Sequence, residues 1–242
     1  MPTADALKAE ETRIQEAYAR RRKGDLYSRF NPAHLFIVQQ REKGFLELLL
    51  RHGCAPLQTK KILEIGCGTG DNLRDFVKWG ALPENVTGID LLTDRIAEAV
   101  RLCPAKMRIQ AGNAANLEFP NSHFDLAWQS TVFTSVLDPQ IKRKIASELL
   151  RVVKPDGLIF WYDYHVNNPR NPDVRGVKRR EIHDLFPGCD IRLRRTTLAP
   201  PLARLLAPYS WLLCYLLERI PLLCTHYIGV VRKKPLLKSA GK

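Results

Sequence analysis

The sequence predicts an α/β fold, an open and mostly parallel sheet with helices on both faces, and three observations carry that prediction. From residue 61 onward, short β-rich runs alternate with helical patterns, which is how successive βαβ units read in a sequence. The first of those runs, KILEIG, passes directly into a glycine-rich turn and then into a helix. The chain has 242 residues, 45% hydrophobic and 26% charged, enough for one well-buried core with additions and unlike disordered or fibrous chains.

Two helices are expected before the sheet. Residues 5–23 read as a charged amphipathic helix, and HLFIVQQREKGFLELLLRH (34–52) as a more apolar one entered through Asn31 and Pro32, so residues 1–55 form a helical cap or lid. The strand candidates of the core, 61–165, are KILEIG (61–66), VTGID (86–90), MRIQAG (107–112), FDLAWQ (124–129) and LIFWYDY (158–164). Gly80 suits the left-handed cap after DNLRDFVKW, Asp138 with Pro139 opens the helix that runs to about Val153, and KPDG (154–157) is a turn into the next strand. Beyond a Pro- and Asn-rich loop (167–176), KRREIHDLFPG (178–188) is a short helix, and IRLRRTTL (191–198) and HYIGVVRK (226–233) are strands. There is no internal repeat.

Between those last strands lies the greasiest stretch of the chain. Its uncharged run, Leu205 to Leu217, is 13 residues, short of the roughly 20 that a helix needs to cross a bilayer. Pro200 with Pro201, Pro208 and Pro221 break it, which predicts two short helices.

The formal charge is +13, and from Arg170 to Lys242 there are 15 Arg and Lys against 5 Asp and Glu, so the excess belongs to one end. That end suits phosphate, nucleic acid, acidic lipid headgroups, or water alone. The six cysteines show neither a CxxC pair nor zinc-type spacing, and they read as reduced and mostly buried. MPTADALKAEETRIQ has no apolar targeting core and carries acids, so a cytoplasmic protein is expected.

The chemistry concentrates in ILEIGCGTG (62–70). Glycines 66, 68 and 70 follow a buried strand and precede a helix, allowing a tight turn, close approach of a ligand to the backbone, and binding of a negative group at the helix start. A dinucleotide fingerprint would need glycine at position 71, where Asp71 stands, and no GK[ST] phosphate loop is present. Glu64 and Asp90 instead supply carboxylates suited to an ammonium group and a ribose diol.

On these residues, region 61–165 resembles a class I S-adenosylmethionine-dependent methyltransferase. Glu64-Ile65-Gly66-Cys67-Gly68-Thr69-Gly70 matches the family's first motif, Asp90 falls where its acid binds the ribose hydroxyls, residues 111–138 resemble its adenine-contacting stretch, and RVVKPDGLIF (151–160) its turn into the fifth strand. The resemblance implies a Rossmann-like seven-stranded, mostly parallel sheet with an antiparallel last strand, S-adenosylmethionine as cofactor and S-adenosylhomocysteine as product. It carries the cofactor-binding role to Glu64, Gly66, Cys67, Gly68, Gly70, Asp90, Leu91, Asn113, Ala114 and Gln129. Two departures matter. Asn113 stands where many members have Asp, and Thr134 and Ser135 where small-molecule members often have two histidines.

A general base helps when the acceptor is a hydroxyl, and His165, just beyond the fifth strand, is the candidate because strand C-terminal ends face the ligand crevice. Tyr27, Phe30, Asn31 and Gln40 lie where related enzymes build a lid. In the family the last two strands form a hairpin, which makes residues 199–225, within the C-terminal part 178–233, a helical insertion. Either it covers the sheet edge and part of the pocket, or it lies on a membrane beside the acceptor, with Arg192, Arg194, Arg195, Arg204 and Arg219 flanking apolar residues and Trp211. O-methylation of a small molecule or sugar, including a lipid-linked glycan at the inner membrane face, is the expected activity. An RNA methyltransferase using the basic end is the alternative, although no RNA-binding module or NPPY-type motif accompanies it, and a non-catalytic cofactor-binding partner is a second.

Overall fold

The computed structural model describes residues 2–20, 25–169 and 171–234. Helix α1 (Ala4–Ala19) begins at Thr3, whose hydroxyl accepts the Ala6 N–H at 3.2 Å. The end of the expected 5–23 helix, residues 21–23, lies outside the described residues. Helix α2 (Pro32–Arg51) is capped as its sequence predicts: the Asn31 side chain accepts the Ala33 and His34 N–H groups, and Pro32 occupies the first turn.

Seven strands follow: β1 (Ile62–Ile65), β2 (Val86–Asp90), β3 (Arg108–Ala111), β4 (Phe124–Ser130), β5 (Val153–Tyr164), β6 (Cys189–Leu198) and β7 (Cys224–Lys233). They form one sheet in the order β3-β2-β1-β4-β5-β7-β6, parallel from β3 to β5, with β7 inserted antiparallel between β5 and β6. Helices α3 (Asp71–Lys78), α4 (Thr93–Leu102), α5 (Pro139–Val152) and α6 (Arg179–Leu185) fill the connections. Asp138 caps α5 by accepting the Gln140 and Ile141 N–H groups, and Gly80 has φ +98° just after α3.

One expected boundary differs. KPDG is part of the strand, because β5 pairs with β4 from Val153 onward, with a bulge between the pairs Phe124–Val153 and Leu126–Leu158. The extra residues are absorbed there, and Gly157 lies against the Asp125 carbonyl, where a Cβ would approach to 2.7 Å.

The sheet carries a core on each face. On one, Leu63, Ile65 and Trp161 pack with Ile141, Ile145 and Leu149 of α5. On the other, Phe45, Leu48 and Leu49 of α2 and Phe76 of α3 cover Trp128 and Phe160, whose rings stack at 4.5 Å. Alternation along β1 therefore sends Glu64 to the α2–α3 side, at the strand end where the glycine turn begins.

Residues 199–225 fold as the proline pattern predicts, into α7 (Pro200–Leu206), α8 (Trp211–Glu218) and a short 3-10 turn at Pro221–Leu223. Their inner side, Ala203, Ala207 and Cys214, packs with Ala33 and Phe36 of α2 and with Leu198. Among the described residues no helix is long and apolar enough to cross a membrane.

Candidate functional site

A cavity of about 270 Å³ opens at the C-terminal ends of β1, β2 and β4. The turn after β1 builds its floor. Gly66, Gly68 and Gly70 have φ of +65°, +55° and +80°, and a Cβ on Gly66 would fall 2.5 Å from Val132 Cγ2. Only glycine takes this path without strain, and it leaves bare backbone facing the cavity.

The turn is tied to β2. Cys67 N–H donates to the Ile89 carbonyl at 2.9 Å and Gly68 N–H to Asp90 Oδ2 at 2.8 Å, while Asp90 Oδ1 accepts the Leu92 N–H at 2.9 Å. Each carboxylate oxygen of Asp90 thus holds one backbone donor and keeps a second lone pair for a hydroxyl. Glu64 is more exposed to electrostatic stress. Asn72 Nδ2 donates to its Oε1 at 2.6 Å, Oε2 has no partner, and burial pushes its pKa up to about 8, opposed by Asn72 and then Arg41. Arg41 itself donates to Asn72 Oδ1 at 3.3 Å and lies over the Tyr162 ring.

Beyond β3, Asn113 Oδ1 accepts the Ala115 N–H at 2.7 Å and its Nδ2 donates to Glu11 of α1. That contact marks the cavity's roof. Leu7, Glu10, Glu11, Ile14 and Tyr18 of α1 all line it, with Arg95 stacked over Tyr18 at 5.2 Å. The helix is pinned down by Arg13, which bonds the Ser135 carbonyl, and by Arg20, which pairs with Asp173 at 3.0 Å. Val132, Val136, Ile141 and Ile145 make the wall beside α1 apolar, and Leu7 and Ile14 pack against the same core.

Of the sequence candidates, Glu64, Gly66, Cys67, Gly68, Asp90, Leu91, Asn113 and Ala114 line this cavity. Gly70, Gln129 and His165 do not. Gly70 turns toward Cys103 and caps α3. Gln129 points into the sheet's interior, its Oε1 accepting the Val132 N–H at 3.3 Å. His165 is drawn away by β7: its N–H donates to the Thr225 carbonyl, its ring stacks on Tyr227 at 4.5 Å, and Nε2 lies 2.9 Å from the Cys224 carbonyl. Burial lowers its pKa. The lid residues expected before the core are also elsewhere, Tyr27 and Phe30 being exposed and Asn31 serving as a cap. The α1 residues and Arg41 were missed, although positions 7, 11, 14 and 18 share one helical face.

The sequence of residues 62–157 matches a family model described as a methyltransferase domain. The core of the chain is a class I S-adenosylmethionine-dependent methyltransferase domain. Among curated relatives, the 2-methyl-6-phytyl-1,4-hydroquinone methyltransferase of Synechocystis is 32% identical over 111 residues, 45% of this chain and 33% of the relative. The ubiquinone biosynthesis O-methyltransferase of Paracidovorax citrulli is 33% identical over 143 residues, 57% of this chain and 54% of the relative. The chain thus spans between a third and just over half of these relatives. A solved S-adenosylmethionine-dependent methyltransferase from Mesorhizobium loti superposes with a TM-score of 0.56 at 19% identity, over 76% of this chain and 95% of that one. The methyltransferase cofactor is S-adenosylmethionine, and the cavity's donor set suits it: an unpartnered buried carboxyl oxygen for an ammonium, a carboxylate at a strand end for a diol, and bare glycine backbone for close approach.

Proposed function

We propose that the chain transfers the methyl group of S-adenosylmethionine to an oxygen of a small acceptor carried on a lipid and met at a membrane surface. One juxtaposition carries the reading. The cavity that joins Glu64 to Asp90 is roofed by α1, while α7 and α8 expose Leu205, Leu212 and Leu216 to solvent, and the turns beside them Tyr209 and Leu222. Among the described residues, none of 199–225 lines the cavity. The insertion's exposed leucines therefore need another apolar medium, and a headgroup–acyl boundary supplies one.

When bound, the cofactor supplies a methyl on a sulfonium, which an acceptor oxygen can take in line. The chain's own residues position the partners and exclude water. Glu64, backed by Asn72 and Arg41, holds the ammonium; Asp90 accepts from the ribose hydroxyls; Leu91, Asn113 and Ala114 flank the adenine; and Gly66, Cys67 and Gly68 lie against the amino-acid portion. Leu7 and Ile14 close the roof with apolar side chains.

No histidine among the described residues lines the cavity. Without such a base, a phenolic hydroxyl, with a pKa near 10 as in tyrosine, loses its proton more readily than a sugar alcohol. The names of both curated relatives point the same way, toward a hydroquinone and ubiquinone biosynthesis. A lipid-linked glycan is therefore the less favoured acceptor. Incubating the chain with tritium-labelled S-adenosylmethionine and a bacterial lipid extract tests this: label should appear in the organic phase and disappear with Asp90→Ala. Label confined to water-soluble products would refute the lipid acceptor, and no transfer to either phase would refute the activity.

A further inference from the structure

A second cavity, of about 310 Å³, lies outside the cofactor site between α2, the edge strand β6 and α8. Lys43, Arg194, Arg195 and Arg219 line it, against the two carboxylates of Glu47 and Glu218. Both acids are engaged. Glu47 pairs with Arg194 at 2.9 Å, and Glu218 accepts the Thr197 N–H at 2.7 Å and the Thr196 hydroxyl at 3.3 Å. Burial raises the Glu218 pKa against these hydrogen bonds and the charge of Arg194.

Among the described residues, the remaining cations contact neutral groups, with Arg219 also feeling the field of the Glu47 carboxylate. Lys43 and Arg219 lie over the Tyr215 ring, 5.1 and 4.8 Å from its centroid, Arg219 also bonds the Tyr215 hydroxyl, and Arg195 reaches the Pro221 carbonyl at 3.4 Å. The hydrogen bond from Arg219, and then its charge and that of Lys43, lower the Tyr215 pKa. The groove exists because α2 carries Gly44 where it meets the sheet: a Cβ there would fall 3.1 Å from Arg194 Nη2 and 2.9 Å from Ile228 Cδ1.

We propose that this groove binds the phosphate of an anionic lipid headgroup, while the exposed leucines of α8 beside it enter the acyl boundary of the same bilayer. Charge and greasiness adjoin on one helix. Tyr215, Glu218 and Arg219 belong to the groove, and Leu212, Leu213 and Leu216 to the exposed apolar face. The loop before α2 adds Leu26, Tyr27 and the 99% exposed Phe30 at the end of α2 on which α7 and α8 pack. A phosphodiester takes charge-assisted hydrogen bonds from guanidinium groups, and a basic cluster beside leucines and tyrosines matches a headgroup layer better than a nucleic acid. The assignment rests on the membrane reading above and adds to it a specific lipid chemistry.

The test is flotation of the full chain with vesicles of phosphatidylcholine alone or mixed with phosphatidylglycerol, alongside calorimetric titration with S-adenosylhomocysteine. Wild type should partition onto the mixed vesicles far more strongly than onto the neutral ones. Arg195→Gln with Arg219→Gln should weaken that binding about 30-fold, the loss expected of two basic groups near an anionic surface, and leave cofactor-product binding unchanged. The control is Arg101→Gln with Lys106→Gln, which removes equal charge from α4 and the loop after it, near the β3 edge of the sheet; it should change partitioning little. Leu212→Asp should also release the chain. Equal losses in the groove and control variants would reduce the effect to net charge and overturn the site. So would equal binding to both vesicles, tighter retention on polyuridine than on mixed vesicles, or displacement by free inorganic phosphate that is indifferent to Leu212→Asp. Because product binding is read separately, failure of the groove is distinguishable from failure of the methyltransferase site.

Discussion

Glu64 turns the proposed cofactor site into a proton-linked one. Its carboxyl is 1% exposed, one oxygen is bonded to Asn72, the other is unpartnered, and burial pushes the pKa up to about 8. Near neutral pH the ligand-free group is therefore mostly protonated, whereas an ammonium against Oε2 stabilises the carboxylate. Binding then expels a proton, and the apparent affinity is the intrinsic one scaled by the ionised fraction. Well below a pKa of about 8 that fraction drops about tenfold per pH unit, and since half the group is ionised at the pKa itself, the association constant for S-adenosylhomocysteine should fall about 50-fold from about pH 8 to about pH 6. Calorimetry in buffers of different ionisation enthalpy should find about one proton released per ligand at the acid end. Glu64→Gln should bind weakly at every pH and lose the slope. The ligand-free stability follows the same sign. The unfolded carboxyl ionises at its ordinary 4.5 and the folded one only at about 8, so the native state holds more protons between them and stability falls as pH rises through that window. A wild-type affinity flat across the range, or a Gln variant that keeps the slope, would refute this placing of the ammonium.

Other perturbations follow from the same contacts. Gly66→Ala places a Cβ 2.5 Å from Val132 Cγ2 at a φ of +65°; it should cost about 1–2 kcal/mol in thermal or urea unfolding and abolish product binding by calorimetry. Glu181→Ala strands Lys142, whose side chain is 0% exposed and pairs with Glu181 at 2.8 Å; urea unfolding should show a loss of about 3 kcal/mol, against less than about 1 for Lys142→Met. Glu218→Ala removes the acceptor of the Thr197 N–H, at a threonine held at φ +66°; a loss of about 2 kcal/mol is expected in the same assay, most of it restored by Glu218→Gln.

The core was legible because its strands are buried and short, with glycines, prolines and caps marking their ends. Asn31, Gly80 and Asp138 act as local chemistry dictates, and the prolines of 199–225 divide it as expected. The glycine turn and Asp90 were legible for the same reason, since their geometry is set within a few residues. His165 was not, because its place depends on pairing with a strand some 60 residues later in the chain, which pulls the imidazole onto Tyr227 and the Cys224 carbonyl. Gln129 shows how one step of strand alternation decides between cavity and interior. The α1 roof was half legible: the spacing of Leu7, Glu11, Ile14 and Tyr18 defines a face, but only the folded chain says what that face covers.

The most direct test is a crystal structure grown with S-adenosylhomocysteine. The ligand should lie beneath α1, with its ammonium at Glu64 Oε2 and its ribose hydroxyls at Asp90. A ligand bound elsewhere, or one in this cavity that leaves Glu64 Oε2 without a partner, would contradict the account.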